Sequence, residues 1–265
     1  AEHEAAGEAE EDEVGGLVPA ELAVLLSDPV GDGEDGLVLG VLSPLLAGAS
    51  SYLMSPLSFL RRPLGWLEAV ETYRITHTGG PDSAYATCLQ AMADKPLAFR
   101  LDSLISLTCG GEPIRAETVE RVLTVFCTAG MDARALAPAY GLAEAVLGVS
   151  SRAADAPLRV LAADPAALRA DRFVPDTGPG AASLVGCGRA LAQTEILIVA
   201  DGQASPEGGI GEIWVRSPSV GQGYWMQPEA SAAVFEGYLA DGRGPFLRTG
   251  DLGFLDDGEL FVTGR

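Results

Sequence analysis

Two textures of apolar and polar positions run along the chain. Between residues 37 and 129, apolar runs of strand length alternate with stretches in which apolar residues return every three or four positions. After residue 184, short apolar and β-branched runs are separated by Asp-Gly, Glu-Gly-Gly and Asp-Asp-Gly turns. The first texture predicts strand, glycine turn and helix in repetition, the pattern of a sheet with parallel strands and covering helices. Residues 37–46 are apolar over a helical length, and 50–54 read as a strand. Residues 63–73 form a helix with Leu64, Leu67 and Val70 or Tyr73 on one face, and Pro63 suits its first turn. Residues 75–78 are a short strand running into Gly79-Gly80-Pro81, followed by a helix over 82–93 with Asp82 as its N-cap. A strand at 104–108 ends in Cys109-Gly110-Gly111-Glu112-Pro113, and a helix covers 116–129. The second texture predicts strands at 195–199, 211–216, 246–248 and 259–263, gathered into a small β-barrel or twisted sheet.

The fold class is therefore α/β: a partly parallel sheet with covering helices, followed by a small β-barrel-like subdomain. Residues 1–35 form an acidic tail and a weakly structured lead-in. In it, 14–26 fit a helix or a strand and 27–36 read as a turn-rich loop. The α/β part spans 36–150 and the β-rich part 183–265. Between them, 151–182 is rich in Ala, Asp, Pro and Arg, with one strand-like piece at 158–164, and reads as an insertion or connection.

Composition narrows the chemistry. With 48% hydrophobic residues in 265, the chain can fill a sizeable core. Acids outnumber bases 37 to 17, for a net charge of -20, which argues against a nucleic-acid partner and against docking on an anionic membrane. No run approaches transmembrane length and the first residues are acidic, so no membrane insertion and a cytoplasmic location are expected. Cys88, Cys109, Cys127 and Cys187 have no metal-ligand spacing and are expected as buried reduced thiols. The two histidines, His3 in the acidic tail and His77, give a Ser-His or Cys-His pair little to work with, and His77 is expected to be packed or partly exposed.

Ligands of open α/β sheets sit beyond the carboxyl ends of the strands, where Gly79-Gly80 and Gly110-Gly111 both fall. Either pair alone makes no more than a tight turn. Residues 139–144 (AYGLAE) add an aromatic face, a glycine turn and a lone carboxylate, and Asp251 lies between glycines at 250 and 253. These are parts that hold a nucleotide and its metal.

Seven segments in order resemble the adenylate-forming superfamily, and within it the fatty acyl-AMP ligases: 53–70 (LMSPLSFLRRPLGWLEAV), 76–85 (THTGGPDSAY), 109–122 (CGGEPIRAETVERV), 138–150 (PAYGLAEAVLGVS), 184–191 (LVGCGRAL), 211–225 (GEIWVRSPSVGQGYW) and 244–265 (GPFLRTGDLGFLDDGELFVTGR). The resemblance implies a site for ATP and AMP. In it Tyr140, followed by Gly141, stacks on adenine, and the backbone of Gly110, Gly111, Glu112 and Pro113 approaches the base. Glu144 is implied as the catalytic residue that holds Mg²⁺, Asp251 as the acceptor of the ribose hydroxyls, and Arg265 as a neighbour of ribose or phosphate. Gly79, Gly80 and Pro81 would border a pocket for a fatty or related carboxylic acid. The 151–182 stretch coincides with the family's insertion, which favours transfer of the acyl group to an acyl carrier protein, as in lipid and polyketide or lipopeptide biosynthesis.

The resemblance is incomplete. No Ser/Thr/Gly-rich phosphate loop ending in Lys-Gly precedes Leu37, Gly33 and Glu34 stand where the family has a His-Asp pair, and no segment matches the C-terminal domain that carries the family's lysine. Two expectations follow: part of a larger ligase that is poor or inactive as an isolated chain, or a diverged non-catalytic module for binding, interaction or regulation.

Overall fold

The computed structural model describes residues 34–93 and 98–265, so the acidic tail and the apolar pattern at 14–26 lie outside the described residues. A helical run opens it: α1 (Glu34–Leu37), a π-helical turn (Val38–Leu42) and α2 (Ser43–Ala47), closed by Gly48 at φ +65°. The loop expected through residue 36 is thus helical from 34, because extending a nucleated helix costs little per residue. The strand expected at 50–54 does not form; Tyr52 instead stacks on Tyr73 with centroids 4.2 Å apart, and Tyr52 and Met54 pack against the core. Its alternating pattern reflects an extended stretch laid on helices, not a ladder.

Helix α3 (Pro56–Arg61) begins with a cap the hydrophobic pattern did not reveal: Ser55 Oγ accepts from the Ser58 amide at 3.2 Å, and Pro56 takes the first turn. α4 (Gly65–Thr72) buries Trp66, Leu67 and Val70. Then come β1 (His77–Gly80), α5 (Asp82–Ala91), β2 (Ser106–Cys109), α6 (Ala116–Thr128), β3 (Leu136–Gly141) and β4 (Gly148–Ser151). Residues 151–182 contribute β5 (Val160–Ala163) and α7 (Pro165–Leu168), and β6 (Ala182–Val185) starts at their end. The β-rich part holds β7 (Arg189–Ala190), β8 (Glu195–Ala200), β9 (Gln203–Ala204), β10 (Gly211–Arg216), α8 (Pro228–Phe235), β11 (Leu247–Asp256) and β12 (Glu259–Gly264). The strand expected at 246–248 is the start of the ten-residue β11, and α8 was not foreseen.

The first sheet has the order β1-β2-β3-β4-β7; β1, β2 and β3 are parallel, and β4 and β7 add antiparallel. Gly79 and Gly80 lie within β1, not in a turn after it. A Cβ on Gly79 would stand 2.7 Å from the Thr108 carbonyl oxygen, so glycine is what lets β1 approach β2 this closely. Buried Leu67, Val70, Ile75, Leu89, Leu107, Val122, Phe126 and Leu136 fill the space between sheet and helices.

Asp82 does not cap its own helix; Pro81 occupies that position. The buried Asp82 carboxylate reaches the start of α6, accepting from the Arg115 amide (3.0 Å), Arg115 Nε (2.7 Å) and Thr118 Oγ1 (3.1 Å). In return, Glu112 Oε1 accepts the Ser83 amide in the first turn of α5. Each helix start is therefore satisfied by an acid from the segment that opens the other.

The second sheet is antiparallel, in the order β12-β11-β10-β8-β9. β5 pairs with β6, and Phe173 stacks on Phe254 at 4.5 Å, with Phe261 on from Phe254 at 5.2 Å. A further cluster, including Tyr140, Val149, Cys187, Ile196, Ile213, Val215, Leu247 and Leu260, joins the antiparallel end of the first sheet to the second. Among the described residues no helix is long and apolar enough to cross a membrane. All four cysteines are free, with Cys88, Cys109 and Cys187 buried and Cys127 half-buried. His77 is half-buried, and burial lowers its pKa.

Candidate active site

The carboxyl ends of β1, β2 and β3 lie side by side and carry most of the residues singled out in the sequence. The Gly110 amide donates to the Gly80 carbonyl at 3.4 Å, continuing the parallel pairing past β2 and bringing 79–81 beside 110–113. A Cβ on Gly110 would lie 2.9 Å from the Ala139 carbonyl oxygen, so the turn presses on β3 one residue before Tyr140. Gly111 takes φ +80°, which glycine adopts without strain. The Glu112 carboxylate is engaged by the Ser83 amide in the first turn of α5.

Tyr140 is 9% exposed, its ring set in the cluster between the two sheets. Its hydroxyl donates to Asp251 Oδ2 at 2.7 Å across 111 positions of sequence. Burial, chiefly, pushes the Tyr140 phenol well above its ordinary pKa, and Asp251 adds to this. Asp251 is held from behind: its amide donates to Thr249 Oγ1 at 3.1 Å, and that hydroxyl donates to the Ile213 carbonyl at 2.7 Å. On the outer side the exposed Arg265 places Nε 3.7 Å from Asp251 Oδ1.

Glu144 occupies the tight loop between β3 and β4. That loop is closed by the Leu142 amide on the Leu147 carbonyl (2.9 Å), and a Cβ on Gly141 would fall 1.8 Å from the same oxygen. A single 3₁₀ turn, Ala143–Ala145, presents the half-buried Glu144, and Val146 ends it at φ +68°, a strained conformation for a β-branched residue. The Glu144 carboxylate does not meet Asp251. Its Oε1 accepts the hydroxyl of Tyr224, and its backbone carbonyl accepts the Gly221 amide at 2.8 Å. The hydrogen bond to Glu144 raises the Tyr224 phenol to about 12. The Arg265 charge opposes the rise of both phenols.

The arrangement is reciprocal. Tyr140 from the first sheet holds a carboxylate of the second, and Tyr224, from the segment between β10 and α8, holds a carboxylate at the end of β3. Sequence reasoning missed Tyr224. Its position in GQGYW, inside a segment already matched, was the available signal, but nothing local pairs it with a residue 80 positions away. Among the described residues no three His, Cys, Asp or Glu side chains gather as an all-protein metal site. A hard divalent cation that shares substrate phosphates needs only one or two protein carboxylates, and half-buried Glu144 fits that donor set.

A family model described as AMP-binding enzyme matches residues 35–225. The chain is 41% identical over 239 residues to the medium-chain-fatty-acid–[acyl-carrier-protein] ligase JamA of Moorena producens (strain JHB), covering 87% of this chain and 40% of that protein. It is 33% identical over 239 residues to the long-chain-fatty-acid–AMP ligase FadD28 of Mycobacterium tuberculosis (strain ATCC 25618 / H37Rv), covering 87% and 41%. The fold matches the crystal structure of a fatty acyl-adenylate ligase from L. pneumophila, in complex with acyl adenylate and pyrophosphate, with a TM-score of 0.85 at 36% identity, over 93% of this chain and 44% of that one. The chain thus spans about two-fifths of the length of the curated relatives it matches.

Proposed function

The chain belongs to the AMP-binding enzyme family, and from that premise we propose that it is the adenosine- and acid-binding part of a fatty acyl-AMP ligase. The whole enzyme activates a fatty or related carboxylic acid with ATP and passes the acyl group to an acyl carrier protein. An oxygen of the acid's carboxylate bonds to the α-phosphorus of ATP while the bond from that phosphorus to the β-phosphate oxygen breaks, giving acyl-AMP and pyrophosphate. In the second stage a carrier thiol loses its proton, its sulfur bonds the acyl carbon, and AMP leaves.

What supports this reading is the meeting of motif residues from distant parts of the chain, Tyr140 with Asp251 and Glu144 with Tyr224, around the ends of three parallel strands. The adenine stacks on the Tyr140 ring, a contact any flat π surface favours. The backbone of Gly110, Gly111, Glu112 and Pro113 borders the base, and Gly141 keeps the loop after Tyr140 tight. Asp251 accepts the ribose hydroxyls, since a carboxylate offers about four lone-pair sites and Tyr140 takes one. Arg265 lies beside ribose or phosphate. Glu144 holds Mg²⁺, which neutralises charge on the phosphates when bound. Gly79, Gly80 and Pro81 border the acid.

Calorimetry with a non-hydrolysable acyl-sulfamoyl adenosine tests the reading. Binding is expected, and Asp251→Ala removes two hydrogen bonds to a charged group and weakens it by about a hundredfold. An analogue that does not bind, or binds equally to the variant, overturns the reading and favours a non-catalytic scaffold.

A further inference from the structure

We propose that Tyr224 is the positioning residue of the metal-binding carboxylate, its hydroxyl fixing the Glu144 side chain in the orientation that receives Mg²⁺; the inference rests on Glu144 being that ligand. A glutamate on a short loop has three side-chain torsions to lose on binding a cation. Here the Tyr224 hydroxyl on Oε1 restrains those torsions, and the Gly221 amide on the Glu144 carbonyl at 2.8 Å fixes the backbone that carries them. The hydroxyl takes one of the carboxylate's lone-pair sites and leaves the others for the metal.

Tyr224 is itself held. Its amide donates to Ser231 Oγ at 2.8 Å, and that hydroxyl donates to the Gln227 carbonyl at 2.7 Å in the first turn of α8. Its ring meets Phe235 edge-on at 5.2 Å. Both partners sit beside a residue in the left-handed region, Val146 at φ +68° and Met226 at φ +55°, so the two loops have settled into costly conformations on either side of this one bond. Outer groups that hydrogen-bond a ligating carboxylate typically support metal affinity by about 10- to 100-fold.

The test is titration calorimetry of the full chain with α,β-methylene-ATP, with and without Mg²⁺, on wild type, Tyr224→Phe and Glu144→Gln. The ratio of the two affinities is the metal-dependent gain. Tyr224→Phe keeps the ring against Phe235, so it is expected to cut that gain by about tenfold while leaving the metal-free affinity within about twofold. A merely structural role for Tyr224 lowers both affinities together and overturns the proposal. So does a Phe variant with the wild-type gain or a larger one, provided Glu144→Gln has lost it. If Glu144→Gln retains the gain, or wild type shows none, it is the reading of Glu144 as the metal ligand that fails, and the proposal with it. Ser231→Ala loosens the same hydroxyl from outside the site and is expected to lower the gain in the same sense by a smaller factor, which keeps the test decisive if Tyr224→Phe does not fold.

Discussion

Removing one oxygen, in Tyr140→Phe, separates the hydrogen bond to Asp251 from the adenine-stacking face proposed for this residue. The ring stays in its cluster and keeps its face; only the donor to Asp251 is lost. A hydrogen bond to a charged group contributes about 1.5–3 kcal/mol. The lower end applies, because the Asp251 side chain keeps 17% of its exposure and has Arg265 at 3.7 Å, so water and the guanidinium recover part of the loss. At about 2–4 °C per kcal/mol for a domain of this size, a loss of about 1.5 kcal/mol lowers Tm by roughly 3–6 °C. The stronger assay is a double-mutant cycle with Asp251→Ala in urea, where residues in direct contact give coupling energies of about 0.5–3 kcal/mol. A coupling indistinguishable from zero would mean the phenol and carboxylate do not bond in solution, and the reciprocal clasp between the sheets would fall with it. Nucleotide binding supplies an independent reading: the stacking face survives in Phe, so the loss in affinity should be smaller than that of Asp251→Ala.

Three further outcomes follow from the fold. Gly141→Ala places a Cβ 1.8 Å from the Leu147 carbonyl oxygen, so the loop carrying Glu144 must open; a loss of at least about 1–3 kcal/mol in urea unfolding is expected, and an unchanged midpoint refutes the close approach. Phe254→Ala empties a fully buried site between Phe173 and Phe261 and should cost about 3–5 kcal/mol; limited proteolysis should then cut within 151–182 first, and an unchanged cleavage pattern counts against the docking of this stretch on the sheet. Burial pushes the Cys88 and Cys187 thiols from 9.0 up to about 12 and raises Cys109 as well. The unfolded thiols lose their protons first, so their contribution is intact below about pH 8.5 and stability falls as pH rises towards 12. Urea midpoints on either side of that range check the sign, and buried thiols that react with Ellman's reagent as fast as free cysteine would sink the claim.

What was legible in the sequence is what local pattern encodes. The strand-turn-helix repeat gave β1, α5, β2 and α6 to within a few residues, and the turn-separated runs gave β8, β10, β11 and β12. Glycines misled where two backbones approach: Gly79-Gly80 has the composition of a turn, yet both lie in β1, and at Gly79 it is the closeness of β2 that excludes a side chain. Asp82 stands where a cap belongs, but its carboxylate serves a helix 33 positions away. Helices α3 and α8 have only six and eight residues, too few turns for periodicity to mark them, although each has Pro in its first turn. At the site, residue types and motif order pointed to Tyr140, Glu144 and Asp251. Which hydroxyl meets which carboxylate depends on how the two sheets pack, and no local rule carries that.

The exchange of acids between Asp82 and Glu112 makes β1-α5 and β2-α6 interdependent in time as well as in space. Opening the first turn of α5 strips Ser83 of its acceptor and shifts the very segment that supplies Asp82 to α6; opening α6 does the converse through Glu112. Neither unit can fray alone at its N-terminal end. The first turns of the two helices are therefore expected to open together, and amide exchange there should report a common free energy.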